Sequence, residues 1–305
     1  MAKTGRVYKS TGSNYKVKSG ERFYDVSLAG KFRLEGIKST NPVAVGDEVL
    51  IENECIEEVF PRKNYMIRQS TNLSKRTHIL ASNLDRVMIV ASISKPRTST
   101  GFIDRVLVTC EAYSIPAMIV FNKSDLLDSD EIEYRDELME EYRFLGYPTF
   151  SSNALTKEGV DELKEELKDK NTLVIGHSGV GKSSLLNAIQ PGLSVATGSI
   201  SRKHQKGMHT TTFAEMFDLN IGGTIVDTPG IKEFGLVRMS KEEIGDYFPE
   251  IFRLKGKCKY NNCLHINEPG CAVLEGLEVG ALADFRYKNY VNFVETTSYT
   301  AWADD

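Results

Sequence analysis

Gly176-His177-Ser178-Gly179-Val180-Gly181-Lys182-Ser183-Ser184 lies between a short apolar run, Thr172-Leu173-Val174-Ile175, and Leu185-Leu186-Asn187-Ala188-Ile189, whose apolar residues are spaced as on a helix. Strand, glycine-rich turn, helix is the setting in which a GxxxxGK[ST] match becomes a phosphate-binding loop. The glycines let successive backbone N–H groups converge on phosphate oxygens at the positive end of the helix macrodipole. Lys182 would place a point charge between the β- and γ-phosphates, and the Ser183 hydroxyl would ligate Mg²⁺. His177, Ser178, Val180 and Ser184 complete the loop.

Upstream, strand and helix alternate. Asp85–Ser92 reads as a buried strand, Phe102–Val108 begins a helix and Pro116–Phe121 is a second strand. A charged helix follows from about Asp130 to Leu145, then Thr149-Phe150-Ser151-Ser152, then a helix over Val160 to Leu167. This alternation predicts a parallel α/β sheet that binds ligands at the carboxyl ends of its strands. The second strand runs into Asn122-Lys123-Ser124-Asp125, an NKxD match. The Asp125 carboxylate can accept from guanine N1–H and the 2-amino group. Adenine offers neither donor there, so ATP would leave polar groups unpaired. Asn122, Lys123 and Ser124 would support the base and the loop, and Ser151 and Ser152 would pack against the base.

Downstream of the loop, Gly223–Val226 reads as a strand ending in Asp227-Thr228-Pro229-Gly230, a DxxG match. Asp227 would hold the hydration shell of Mg²⁺, and the Gly230 N–H would meet the γ-phosphate. Gly207-Met208-His209-Thr210-Thr211-Thr212 supplies further hydroxyls, with Thr211 expected on Mg²⁺, and Arg202–Lys206 precedes it. This stretch lacks apolar periodicity and is expected to order when GTP binds. Ras-like GTPases orient the attacking water with a Gln directly after DxxG. Here that position is Ile231, so His209 is the candidate for that role. Lys182 and Asp227 are the other residues expected to carry the chemistry. The motif order is itself informative: in most GTPases the P-loop comes first and NKxD near the end, whereas here NKxD precedes the P-loop, which precedes DxxG. The domain reads as a circularly permuted GTPase whose DxxG switch directly precedes whatever follows.

The first sixty-odd residues read as short strands: Gly5–Lys9, Asn14–Val17, Arg22–Leu28, Val49–Ile51 and Cys55–Val59. About five strands in that length predict a small OB-type barrel. Arg6, Lys9, Tyr15, Lys16, Lys18, Arg22, Phe23 and Tyr24 would interleave charge with stacking surface for RNA; core packing of the aromatics is the plainer alternative. Phe60–Asn64 reads as the exit linker. At the other end, Cys258-x₄-Cys263-x-His265-x₅-Cys271 matches a Cys₃His zinc site, structural because four protein ligands leave no open position. Cys55 and Cys110 lie in apolar runs and are expected as buried thiols. The last helix, with Phe285, Tyr287, Tyr290 and Phe293, is expected to pack on this module. The domains are therefore expected at 1–68, 69–235 and 236–305.

The net charge of −4 over 305 residues argues against a nucleic-acid partner, but its distribution does not. Residues 1–68 carry 12 Lys+Arg against 9 Asp+Glu, with 9 against 3 in the first 40. Between Asp169 and Glu215 there is no acid, but there are five basic residues. Two local basic zones suit contacts with a polyanion at defined places. No apolar run approaches the ~20 residues of a membrane span, and the start lacks the apolar core of a signal peptide. A cytoplasmic monomer with no membrane partner is expected.

Barrel, permuted GTPase and zinc module together resemble the bacterial RsgA family of small-ribosomal-subunit-dependent GTPases over the whole chain. The residues that carry the resemblance are Asn122–Asp125, Gly176–Ser184, His209–Thr212, Asp227–Gly230 and the zinc spacing; Met208 stands where the family usually has Arg. The resemblance implies a cytoplasmic factor that binds the small (30S) subunit and 16S rRNA, hydrolyses GTP when bound there and acts in late subunit maturation. Its cofactors would be GTP/GDP, Mg²⁺ and one structural Zn²⁺. Two other readings stay open from the residues alone: an RNA-binding module with GTP as a static ligand, and a nucleotide kinase, against which NKxD and DxxG count.

Overall fold

The structure is a computed structural model that describes residues 2–12, 14–30, 42–69, 77–193, 214–228, 236 and 239–297. Strands β1 (Lys3–Thr11), β2 (Asn14–Ser19), β3 (Arg22–Leu28), β4 (Glu48–Glu52) and β5 (Cys55–Val59) form the N-terminal barrel. Their order is β1-β2-β3-β5-β4, and β4 pairs back onto β1, which closes the barrel. Alternation selects the inward residues: Val7, Tyr15, Val17, Val26, Val49, Ile51 and Ile56 form its core. Two expectations change here. Tyr15 is buried in that core and is not part of an exposed stacking face, because its place on β2 puts it on the same side as Val17. Cys55 is half-buried at the start of β5, its sulfur 3.4 Å from Ser27 Oγ, whereas Cys110 is buried as expected.

The exit segment is tied down on both sides. Arg62 donates to both carboxylate oxygens of buried Asp47, each at 2.7 Å. Asn64 exchanges two hydrogen bonds with the Leu84 backbone. The chain then makes a two-stranded antiparallel sheet from β6 (Tyr65–Gln69) and β7 (Thr77–Ser82), which the sequence pattern did not reveal.

The central sheet comprises β8 (Arg86–Ala91), β9 (Ala117–Asn122), β10 (Thr149–Ser152), β11 (Asn171–Ile175), β12 (Glu215–Asp218) and β13 (Thr224–Asp227). The order is β10-β9-β8-β11-β13-β12, parallel throughout except for β12, which is antiparallel to β13. Near-continuous apolar runs such as Arg86–Ala91 suit strands covered on both faces. On one face Val87, Ile89, Ile119, Leu173 and Val226 pack under α1 (Thr100–Ala112) and α2 (Ser129–Phe144). On the other, Met88, Val90, Val120, Val174 and Ile225 pack under α3 (Val160–Leu167) and α4 (Lys182–Ile189). Asp128 and Glu131 form a capping box that starts α2 one residue before the expected Asp130. The barrel continues this sheet through β1, which pairs with β12 at Lys9↔Glu215.

The C-terminal module contains α5 (Lys241–Ile244), α6 (Pro249–Lys255), α7 (Ala272–Glu278) and α8 (Asp284–Thr296) around Phe248, Ile251, Tyr290 and Phe293. As expected, α8 packs on this module, but it also clamps it to the GTPase domain. Arg286, fully buried, donates to Asp104 Oδ1 of α1 at 2.6 Å and to Glu250 of α6 at 2.7 Å. Tyr142 and Asn289 also donate to Asp104, at 2.8 and 2.6 Å. Among the described residues no helix is long and apolar enough to cross a membrane.

Candidate nucleotide and metal sites

Parallel pairing of β11 with β8 and β13, and of β8 with β9, brings the motifs to one edge of the sheet. Val174 of β11 lies beside Asp227, and Ile175 beside Ile89. The P-loop turns from Ile175 through Gly176–Gly181 into α4. Gly181, at φ +92°, begins that helix in the left-handed region, and a Cβ there would sit 2.4 Å from Asn122 Nδ2. Only glycine fits both demands.

Asn122 joins the separate motifs. Its amide donates to Val180 O of the P-loop at 3.0 Å, and its Oδ1 accepts from the Ser152 hydroxyl at 3.2 Å. Lys123, itself in the left-handed region, donates to Lys95 O at 2.6 Å in the loop before α1. Ser124 and the exposed Asp125 open the 3₁₀ turn that follows. Ser151 accepts from Arg135 at 3.1 Å. Two P-loop contacts were not read from the sequence. The His177 ring stacks edge-on against Phe102 of α1 at 4.0 Å, and Pro96 lies beside Gly179. No sequence pattern signals either one.

Lys182 is buried and curls back on the loop, donating to Gly176 O at 2.6 Å and His177 O at 2.9 Å. Burial lowers its pKa, opposed by the nearby Asp227 carboxylate. Burial likewise pushes Asp227 up to about 6, against the lowering pull of Lys182 and with Glu215 adding to the rise. The half-buried Asp227 carboxylate at the end of β13 and the Ser183 hydroxyl in the first turn of α4 are hard oxygen donors of the kind that suits Mg²⁺. Ser183 and Asp227 therefore fit that ion. His209, Thr211 and Gly230 lie outside the described residues, as do Ile231, the threonine stretch expected to order with GTP and the basic stretch Arg202–Lys206.

On the barrel, Phe23 is 46% exposed, with Lys16 Nζ 4.8 Å and Lys18 Nζ 5.9 Å from its ring centre. Lys3 sits over Tyr24 at 4.3 Å, and Arg22 is exposed. Three residues of the expected face are engaged elsewhere: Arg6 pairs with Glu48, Lys9 with Glu215 and Lys18 with Asp218. Glu215 is thus a residue missed in the sequence, although it was signalled as the first acid after the acid-free stretch.

Cys258, Cys263, His265 and Cys271 converge, their ligand atoms all within 4.8 Å of one another. His265 Nδ1 lies 3.5 Å from Cys258 Sγ and 3.4 Å from Cys271 Sγ, and those two sulfurs are 3.9 Å apart. A zinc tetrahedron with the usual bond lengths has edges of about 3.6 Å from sulfur to nitrogen and about 3.8 Å between sulfurs. The cluster fits that ion. The loop is held from outside: Glu268 accepts from the N–H groups of Leu264, Ile266 and Asn267, and Tyr287 and Tyr290 donate to the carbonyls of His265 and Leu264. Such bonds orient ligand residues from behind.

The RsgA GTPase family model matches residues 59–237, and the RsgA N-terminal domain model matches residues 4–58. Small ribosomal subunit biogenesis GTPase RsgA of Bacteroides fragilis is 54% identical over 297 residues, 95% of this chain and 96% of the relative. The protein of the same name from Flavobacterium psychrophilum is 48% identical over 310 residues, 99% of this chain and 95% of the relative. Among solved structures, YjeQ from Thermotoga maritima aligns with a TM-score of 0.79 at 35% identity, over 97% of this chain and 98% of its own. YloQ, a circularly permuted GTPase, aligns with a TM-score of 0.73 at 30% identity, over 97% and 94%. A family model that spans more than half of the chain, and relatives that match it from end to end, leave one assignment: this chain belongs to the RsgA family of GTPases.

Proposed function

We propose that this GTPase acts in late maturation of the small (30S) ribosomal subunit, binding it through 16S rRNA and hydrolysing GTP to GDP and phosphate with subunit-stimulated turnover. In this reading it is a cytoplasmic monomer divided functionally at 1–68, 69–235 and 236–305. The observation that carries the guanine-nucleotide site is the Asn122 amide, which links base motif, P-loop and Ser152 into one pocket. Relatives named for small-subunit biogenesis support the setting.

Asp125 reads the guanine edge, with Ser124, Ser151 and Ser152 around the base. The backbone from Gly176 to Ser184 cradles the phosphates. Lys182 exchanges the carbonyls of Gly176 and His177 for phosphate oxygens, which removes the cost of its buried charge. Ser183 and Thr211 would hold Mg²⁺ directly and Asp227 would hold its water shell; the ion would supply positive charge to offset charge developing on the phosphates. Gly230 donates to the γ-phosphate, and His209 orients the attacking water. Cys258, Cys263, His265 and Cys271 hold one zinc, which supplies folding energy to a module with a small core.

The test is GTP turnover with and without purified small subunits, with ATP as competitor. The expected outcome is slow turnover by the protein alone, a strong increase with subunits and no competition by ATP. A rate indifferent to subunits would favour GTP as a static ligand and sink the proposal.

A further inference from the structure

We propose that Lys9 of the barrel and Glu215 of β12 form a positioning pair for Asp227, setting how tightly the nucleotide site holds its divalent cation. The inference rests on the reading of Asp227 as the carboxylate that faces Mg²⁺.

The sheet register carries it. Lys9 is the cross-strand partner of Glu215, and Glu215 is the cross-strand partner of Asp227. Residues directly opposite on adjacent strands share a face, with Cβ atoms about 4.5–5.5 Å apart. Two carboxylates so placed repel each other. Lys9 Nζ, 2.8 Å from Glu215 Oε2, offsets that repulsion from the barrel side. On the other side, Lys182 acts on Asp227 from the P-loop. The result is a row of charges, positive, negative, negative, positive, which begins in the barrel at Lys9 and ends in the P-loop at Lys182. The Lys9–Glu215 pair is about one-third exposed, so its field is partly screened. Its effect on a divalent ion at Asp227 is therefore a modest tuning.

The same seam has a second anchor that serves as an internal control. Asp218, at the far end of β12, accepts from Tyr8 Oη at 2.6 Å and Lys18 Nζ at 2.8 Å. It pairs with Thr224, three residues from Asp227 along β13, and so lies about 10 Å from the charge row. If the seam acts only as glue, loss of either anchor has the same consequence. If Lys9 and Glu215 act on the metal site through charge, the two anchors differ, and the signs of the single variants differ as well.

The experiment measures release of a fluorescent GDP analogue from the full chain as free Mg²⁺ is varied, with a melting curve for each variant. Glu215→Gln leaves the Lys9 charge uncompensated and should raise the half-effective Mg²⁺ concentration about three- to tenfold. Lys9→Met should lower it by a similar factor. The double variant should return close to the unmodified protein, Glu215→Asp should retain its behaviour, and Asp218→Asn should leave the Mg²⁺ dependence unchanged. Shifts of one sign in both single variants, an equal shift in Asp218→Asn, or no shift would overturn the inference while leaving the site reading intact. Release from the unmodified protein that ignores Mg²⁺ would overturn both.

Discussion

Replacement of Arg286 by Met removes the one cation from a buried cluster that joins α1, α6 and α8. Arg286 and Asp104 are 1% and 0% exposed and Glu250 is 5% exposed. Methionine keeps the apolar stem of the arginine but not the guanidinium, which lies 4.5 Å from the Phe248 ring. What is lost is chiefly the charge, together with that ring contact. Breaking a buried ion pair from one side costs about 3–5 kcal/mol, because the remaining carboxylates are desolvated and unpaired. At about 2–4 °C per kcal/mol for a domain of this size, melting should fall by about 6–20 °C. Burial raises the Asp104 pKa, opposed chiefly by Arg286; without the guanidinium it rises further. The folded variant then binds more protons than the unfolded chain, so its stability falls as pH rises. The deficit relative to the unmodified protein should therefore be smaller near about pH 5 than near about pH 8. Adding Asp104→Asn and Glu250→Gln should recover much of the loss. Thermal unfolding followed by circular dichroism at both pH values tests this. A shift of Arg286→Met under about 1 kcal/mol, or a deficit that grows on acidification, would refute the reasoning.

Three further outcomes follow from the site. Asp125→Asn should weaken GTP binding and shift preference toward xanthosine nucleotides, since the amide presents a donor where the carboxylate accepted; competition binding with both nucleotides checks it. Anaerobically purified protein should carry about one zinc per chain. Cys263→Ser should lose that zinc and become protease-sensitive within 250–280, with nucleotide binding intact, as read by metal analysis and limited proteolysis. His209→Ala should bind GTP and the small subunit nearly normally yet lose most of the subunit-stimulated rate; full stimulated turnover would place the water-orienting group elsewhere.

Much of the architecture could be read in the sequence because the motifs report backbone geometry directly. Thr172–Ile175 and Pro116–Phe121 are continuous apolar runs that end in ligand-binding turns, so strand, direction and edge follow together. The zinc residues were legible because their spacing is the constraint. What could not be read depends on partners distant in sequence. Tyr15 has the composition of a stacking residue, and only its place in the barrel core with Val7, Val17 and Val26 makes it core. Lys9 and Lys18 look like free cations until Glu215 and Asp218 meet them from two hundred residues away. Arg286 reads as one more basic residue on a polar helix; its carboxylate partners lie on α1 and α6. The β6–β7 pair has no turn signal tight enough to mark a hairpin.

The permuted order fixes how the ancillary domains attach to the GTPase. The stretch 194–213 leaves the end of α4 and enters β12, which is hydrogen-bonded to the barrel at Glu215 and Asp218. The stretch 229–235 leaves β13 after Asp227 and leads into the C-terminal module. In an unpermuted GTPase the chain after DxxG returns to the same domain to build the base-binding strands. Here those strands, β9 and β10, are already in place upstream. The segment after DxxG is therefore free to join a second body, while α8 anchors that body to α1 through Arg286 and Asn289. The α1 helix in turn meets the P-loop where Phe102 stacks on His177. Each segment that in GTPases responds to the γ-phosphate thus ends on an element bound to a neighbouring domain. Any displacement of β12 or α1 must be transmitted to, or resisted by, a surface outside the nucleotide pocket.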